Sequence, residues 1–202
     1  NSIAYPKLNV KVVGSHGGPS VGEDGATHQM NEDIAIMRAI PNLLVLSPCD
    51  TTEMAKAMEF LSSYDGPAYL RLTGLPGNAV INKSDYDYDV NKLNVMREGS
   101  DVCIFATGTL VNESIRASRL LSKSGISVGV VNLSTLSPII AQHIIDECSK
   151  YKLVLSVEEH NIVGGVGSAI SEVLTSTSTH PRLVRLGTVD DNQIAGNYAY
   201  MM

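Results

Sequence analysis

The feature that most constrains this chain is the regular alternation of short β-branched runs with helical patterns. Apolar, β-branched stretches bounded by turn residues read as buried strands. They fall at 9–14 (NVKVVG), 43–47 (LLVLS), 68–72 (AYLRL), 101–107 (DVCIFAT), 127–133 (SVGVVNL), 152–158 (KLVLSVE) and 182–187 (RLVRLG). Between them, apolar residues recur at helical spacing. Ile34, Met37 and Ile40 mark a helix from Asp33, closed by Pro41. Further helices are expected over 52–64, 112–124, 139–150 and 167–175. Strand–helix alternation of this kind predicts an α/β fold with parallel sheets.

The stretch 76–100 breaks the rhythm. It is polar, turn-rich and carries a DYDYD run at 85–89. We read it as a connection between two parallel-sheet, three-layer units, with DYDYD a solvated edge rather than a cation site. The expected division is 1–80, a connecting segment 81–100, and 101–202. The second unit has a full βαβ succession. Three strands and two helices are few for a doubly wound sheet, so the first unit is expected to lack its first half. Asn1 and the final NYAYMM look like cut ends, as in a piece of a longer chain.

Composition removes several classes. The net charge of −6 leaves no basic stripe to neutralise nucleic-acid phosphates. No apolar run is long enough for a membrane span. Cys49, Cys103 and Cys148 are odd in number and lack a paired motif. That usage suits buried thiols in a reducing, cytoplasmic setting.

Ligands of open parallel sheets bind beyond the carboxyl ends of the strands. The first strand ends at Gly14, and the loop SHGGPSVGEDGATHQ follows. It places His16, Asp24 and His28 at that edge, among glycines that permit positive φ and close ligand approach. We read Asn31 as the N-cap of the next helix, with Glu32 and Asp33 in its first turn. A helix N-terminus beside His28 would favour neutral imidazole, able to donate to an oxyanion or relay a proton. Asp24 would accept from a substrate hydroxyl. The same residues can also simply knit a loop together, and residue types alone leave both readings open. A zinc site from His16, Asp24 and His28 lacks compact ligand spacing. A phosphate loop lacks the G-x-x-x-x-G-K pattern and would face the acids at 23 and 24.

The run SHGGPSVGEDGATHQMNEDIAIMRAIPNLLVLSPCD resembles the pyrimidine-domain loop of transketolases. His16, Gly22, Asp24, Gly25, the THQ of Thr27 to Gln29, Glu32, Asp33, Pro41, Asn42, Pro48 and Asp50 carry the likeness. MREGSDVCIFATGTLVNESIRAS and LVLSVEEHNIVGGVGSAISEVL resemble the family's C-terminal domain. Nearly the whole chain is covered, and it is most similar to the C-terminal subunit of split bacterial transketolases.

That resemblance implies a thiamine-diphosphate enzyme moving a two-carbon ketol unit between sugars or sugar phosphates. The active site would form between chains, with diphosphate and Mg²⁺ held by an N-terminal section or subunit, in a homodimer or heterotetramer. It implies that His28 lies near the reacting carbons of the donor, that Asp24 reads a donor hydroxyl, and that His16 faces the substrate channel. The activating glutamate of the family is expected upstream of residue 1, so this chain alone is expected to be inactive. Arg71 is the candidate for sugar-phosphate binding, but it falls inside the strand, with Thr73 and Gly74 where a later arginine belongs, so a structural role for it and an acceptor other than a standard sugar phosphate stay open. The EEH (158–160) and GGVG (164–167) stretches are read as structural or as a subunit contact, against an anion site at a helix N-terminus. Deoxyxylulose-phosphate synthase and the beta subunit of 2-oxoacid dehydrogenases share the domain plan. A non-catalytic assembly module is the alternative outside enzymes.

Overall fold

The computed structural model describes residues 1–73 and 79–189. Gly74, the start of the expected connection at Pro76, and the NYAYMM end lie outside the described residues. All seven expected strands form. In chain order the elements are β1 (Lys11–Gly14), α1 (Asp33–Arg38), β2 (Leu44–Leu46), α2 (Thr51–Ser63), β3 (Ala68–Arg71), β4 (Asn94–Arg97), β5 (Val102–Ala106), α3 (Leu110–Ser122), β6 (Val128–Asn132), β7 (Thr135–Ser137), α4 (Ala141–Cys148), β8 (Leu153–Asn161), α5 (Val166–Leu174) and β9 (Arg182–Thr188). No helix among the described residues is long and apolar enough to cross a membrane.

The strands make two parallel-dominated sheets. One runs β1-β3-β2-β7 and the other β4-β6-β5-β8-β9. Each carries one antiparallel member: β7 on β2, and β4 on β6. Those two strands were not expected. β7 is only three residues long, too short to show a period. β4 lies inside the polar stretch 76–100 and is half-buried along its length, so its sequence lacks a clean apolar run. The stretch is therefore not irregular throughout.

β7 matters because the second unit lends it to the first unit's sheet, with Val45 opposite Ser137. Packing continues across the same line. One apolar cluster joins Ile34, Val45 and Tyr69 to Phe105, Leu136, Val166 and Ile170. The three cysteines are buried and free. Burial pushes each thiol up, Cys148 to about 12, so none is a ready nucleophile.

Helix α2 shows how buried carboxylates fasten the frame. Asp50 Oδ1 accepts from the Glu53 N–H at 2.8 Å, an N-cap bond. Its Oδ2 accepts from the N–H groups of Ile81 and Asn82 at 2.8 and 2.7 Å, which pins the connecting chain to the helix start. Glu53, fully buried, accepts from the Cys49 N–H and from Asn132 Nδ2 at the end of β6.

His160, also fully buried, closes the joint between the units. Its Nδ1–H donates to the Asn161 carbonyl at 2.6 Å, and its Nε2 accepts from the Ala35 N–H of α1 at 3.3 Å. That partner set requires a neutral ring, and burial lowers its pKa below the ordinary 6.5. Beside it, burial raises the Glu158 carboxyl.

Replacing Asp50 with Ala strips the cap and removes the acceptor of the Ile81 and Asn82 N–H groups and of Asn82 Nδ2. A loss of about 2–4 kcal/mol in urea unfolding is expected; a loss under about 0.5 would contradict this role. His160 sets a pH dependence. Its unfolded ring takes up a proton near 6.5 while the folded ring resists, so the stability it supports is present above that pH and lost as pH falls below it. Glu158 has the opposite sign, since its raised folded pKa favours the native state on the acid side. Unfolding free energies of wild type and His160→Gln, followed from about pH 7 to 5, are expected to converge. Parallel curves would contradict the neutral assignment.

Candidate active site

The loop between β1 and α1 leaves the carboxyl edge of the first sheet and returns to it. Its neck is closed by backbone. The Gly17 N–H donates to the Leu72 carbonyl at 3.2 Å, the Gly18 N–H donates to the Met30 carbonyl at 2.8 Å, and Gly17 pairs with Met30 as a parallel bridge. Inside the neck, Pro19–Asp24 forms a 3₁₀ segment kinked at Gly22. Two turns follow, Gly25 N–H to the Gly22 carbonyl and His28 N–H to the Gly25 carbonyl. A short, self-bonded loop with joined ends is a compact platform for side chains.

His16, Asp24 and His28 are all exposed on this platform. His16 adopts φ +62°, a left-handed conformation uncommon for a residue with a side chain. Such outliers persist where the surroundings enforce them, and they cluster at functional sites. Each imidazole meets a neighbouring hydroxyl through Nδ1: His16 with Ser15 at 2.9 Å, His28 with Thr27 at 3.1 Å. Nε2 is then the nitrogen each ring can offer to a ligand. One part of the sequence reading needs correction. Helix α1 starts at Asp33 with Glu32 as its N-cap residue, and no side chain caps it. Asn31 is not the cap, and five positions separate His28 from the helix start.

Arg71 is placed differently from the other three. Its side chain is 1% exposed. Nε donates to Asp33 Oδ2 at 2.8 Å and Nη2 to the Glu159 carbonyl at 2.9 Å. The Tyr69 hydroxyl donates to the same Asp33 oxygen at 2.8 Å, and burial with that carboxylate pushes the phenol up. The expectation that Arg71 grips a sugar phosphate finds no support in this geometry. A strand residue faces one side or the other of its sheet, and this one faces a buried carboxylate. Breaking such a pair typically costs about 3–5 kcal/mol, so Arg71 and Asp33 act as the floor of the loop. A Cβ on Gly17 would lie 2.8 Å from the Arg71 guanidinium carbon, which leaves room only for glycine above that floor.

Sequence reasoning missed a second support. Glu159, 3% exposed, ends inside the molecule rather than at a subunit contact. Its Oε1 accepts from the Ser20 N–H and its Oε2 from the Thr109 hydroxyl, both at 2.7 Å. Glu158 is also internal. Its oxygens accept from the Val166 and Gly167 N–H groups at 2.6 and 2.9 Å, so the first amides of α5 are already taken. A Cβ on Gly165 would lie 1.9 Å from Glu158 Oε2, which explains the glycine there. The anion-site reading of GGVG therefore yields to a structural one. The available signal was two adjacent carboxylates and an imidazole closing a buried strand.

Among the described residues, no group of three or more His, Cys, Asp or Glu side chains could hold a metal ion. The loop from 15 to 32 carries no Lys or Arg. The described site thus does not fit a metal or a diphosphate, while exposed imidazoles and a carboxylate on the same loop suit the hydroxyls of a polar organic ligand.

Comparison with known proteins finds likeness along most of the chain. The family model for the transketolase pyrimidine binding domain matches residues 1–74, and that for the transketolase C-terminal domain matches 91–198. A protein of Methanocaldococcus jannaschii assigned as a transketolase C-terminal section is 41% identical, over 94% of this chain and 60% of its own length. The 6-deoxy-6-sulfo-D-fructose transketolase subunit of a Clostridium species is 36% identical, over 94% of this chain and 58% of its own. A solved split-gene transketolase, described as an inactive beta4 tetramer, superposes with a TM-score of 0.87 at 34% identity, over 95% of this chain and 61% of that one. The chain thus spans about 60% of the length of these relatives. With both family domains matched in order and a fold that superposes on a split transketolase, the chain belongs to the transketolase family and corresponds to its C-terminal section.

Proposed function

We propose that this chain presents His16, Asp24 and His28 to a ketose donor in a transketolase reaction, in which a two-carbon ketol unit passes from one sugar to another. The observation that carries the reading is the loop itself. Two imidazoles, each engaged through Nδ1 by a neighbouring hydroxyl, and one carboxylate are exposed on a loop with closed ends, at the carboxyl edge of a parallel sheet. Thiamine diphosphate, when bound, supplies the electron sink for carbon–carbon bond cleavage. The diphosphate and Mg²⁺ are assigned to a partner chain or segment, because the described residues offer neither a metal cluster nor a cationic loop.

In this reading His28 hydrogen-bonds the oxygens next to the breaking bond and can carry a proton there. Asp24 accepts from a donor hydroxyl and so selects its configuration. A hydrogen-bonding site of this kind rejects an analogue lacking the hydroxyl, because its own buried or oriented groups are then left unmatched. His16 lines the approach of the longer part of the sugar. Arg71 is left out of substrate recognition, so any phosphate on the sugar must be met elsewhere in the assembly. The working form is a homodimer or a heterotetramer with the N-terminal section, in the cytoplasm, where the buried thiols stay reduced.

The test is ketol transfer by the native subunit reconstituted with its N-terminal partner, thiamine diphosphate and Mg²⁺. Turnover is expected in the mixture and not with the subunit by itself. His28→Ala and Asp24→Ala are each expected to lower kcat/KM for the donor about 100-fold, a loss of about 2.7 kcal/mol, with assembly intact by light scattering. Full activity in both variants would instead mark the loop as scaffolding, and an inert wild-type mixture would overturn the assignment.

A further inference from the structure

We propose that Glu159 is a positioning residue for this site: a carboxylate from the second unit that sets the shape of the loop bearing His16, Asp24 and His28. Its link to sugar transfer rests on the function proposed above; its grip on the loop does not.

The carboxylate is buried and both its oxygens are engaged by donors from different elements. Pro19 opens the 3₁₀ segment and has no N–H, so Ser20 provides the first amide of that segment, and Glu159 accepts it. Thr109, 4% exposed at the start of α3, holds the other oxygen and so fixes the side-chain torsions. The chain is moulded onto this group. Gly18 runs at φ +92°, and a Cβ there would lie 2.5 Å from Glu159 Cγ and 2.8 Å from its backbone oxygen. The Glu159 carbonyl also accepts from Arg71, so one residue bonds both the loop and its floor.

From Ser20 the effect has a short path. The 3₁₀ segment ends at Asp24, and the two following turns end at His28. His16 lies two residues before Gly18. Loss of the Glu159 bond therefore frees the part of the loop between its neck and its chemistry. The two donors around Glu159 also predict which substitution is tolerated. A glutamine can accept from Ser20 with its carbonyl and donate its amide to the Thr109 oxygen. An alanine leaves both donors unmatched in a buried site.

The test uses the native subunit in its reconstituted assembly, with Glu159→Ala, Glu159→Gln and Thr109→Val. Hydrogen exchange reads the loop directly. In Glu159→Ala, exchange of amides 17–30 is expected to rise about 10-fold, while β2, β3 and β5 keep their protection. In the same variant kcat/KM for the donor is expected to fall about 100-fold with the acceptor KM within about 2-fold, as for a misplaced site. Glu159→Gln is expected to restore both measures to within about 3-fold of wild type, and Thr109→Val to raise loop exchange about 3-fold.

An unchanged loop in Glu159→Ala, a rise spread evenly over the chain, or a glutamine no better than alanine would overturn the proposal. Should Glu159→Ala not fold, loop exchange in Thr109→Val and Glu159→Gln decides the matter by the same criteria. The exchange measurement needs no turnover. An inert wild-type assembly would thus remove the transketolase reading, while the loop data would still decide whether Glu159 holds it.

Discussion

The structure depends most on the buried pair between Arg71 and Asp33. A guanidinium and a carboxylate taken out of water are costly, and here donors converging on one Asp33 oxygen offset part of that cost while Asp33 Oδ1 is buried without a hydrogen-bond partner. Here Asp33 Oδ2 receives Arg71 Nε and the Tyr69 hydroxyl, and Arg71 Nη2 reaches the Glu159 carbonyl. The pair thereby locks three elements at one point: the last residue of β3, the first residue of α1 and the carboxyl end of β8. All three surround the neck of the loop. The loop's exposed groups can be held in place because what lies beneath them is buried, charged and bonded.

The two units cannot be understood apart. β7 adds a strand to the first sheet, His160 accepts from the N-terminal turn of α1, and Glu159 bonds the loop. In each case the second unit supplies an acceptor or a strand to backbone that would otherwise lack a partner. A domain whose sequence offers little obvious chemistry thus shapes the loop proposed to carry it. This gives a physical reason for the two domains to remain on one chain while the diphosphate and metal functions are proposed for another.

Much of the fold was legible because parallel sheets advertise themselves. LLVLS, DVCIFAT and SVGVVNL are continuous apolar runs, as strands buried on both faces must be. The helices showed in their spacing, while the Asp50 cap of α2 emerged only from the structure. What escaped was either too short or too distant. TLS at β7 has no period to detect, and NVMR at β4 is half-buried and mixed. The loop itself was legible from its glycines, imidazoles and carboxylate. Its supports were not, because Ser20 and Glu159 are 139 positions apart and Asp33 and Arg71 are 38 apart. No local pattern encodes such pairings. Arg71 was left open between a structural and a phosphate-binding role for the same reason: an arginine in a strand shows its buried partner only in the fold.

The proposed role of this chain is that one of its loops meets the sugar. The most direct measurement is a structure of the assembled enzyme with a ketose donor bound. We expect His28 Nε2 and an Asp24 carboxylate oxygen within about 3.2 Å of donor oxygens, with Arg71 still bonded to Asp33. A donor seated away from this loop, or a loop covered by another subunit with no sugar in reach, would contradict it.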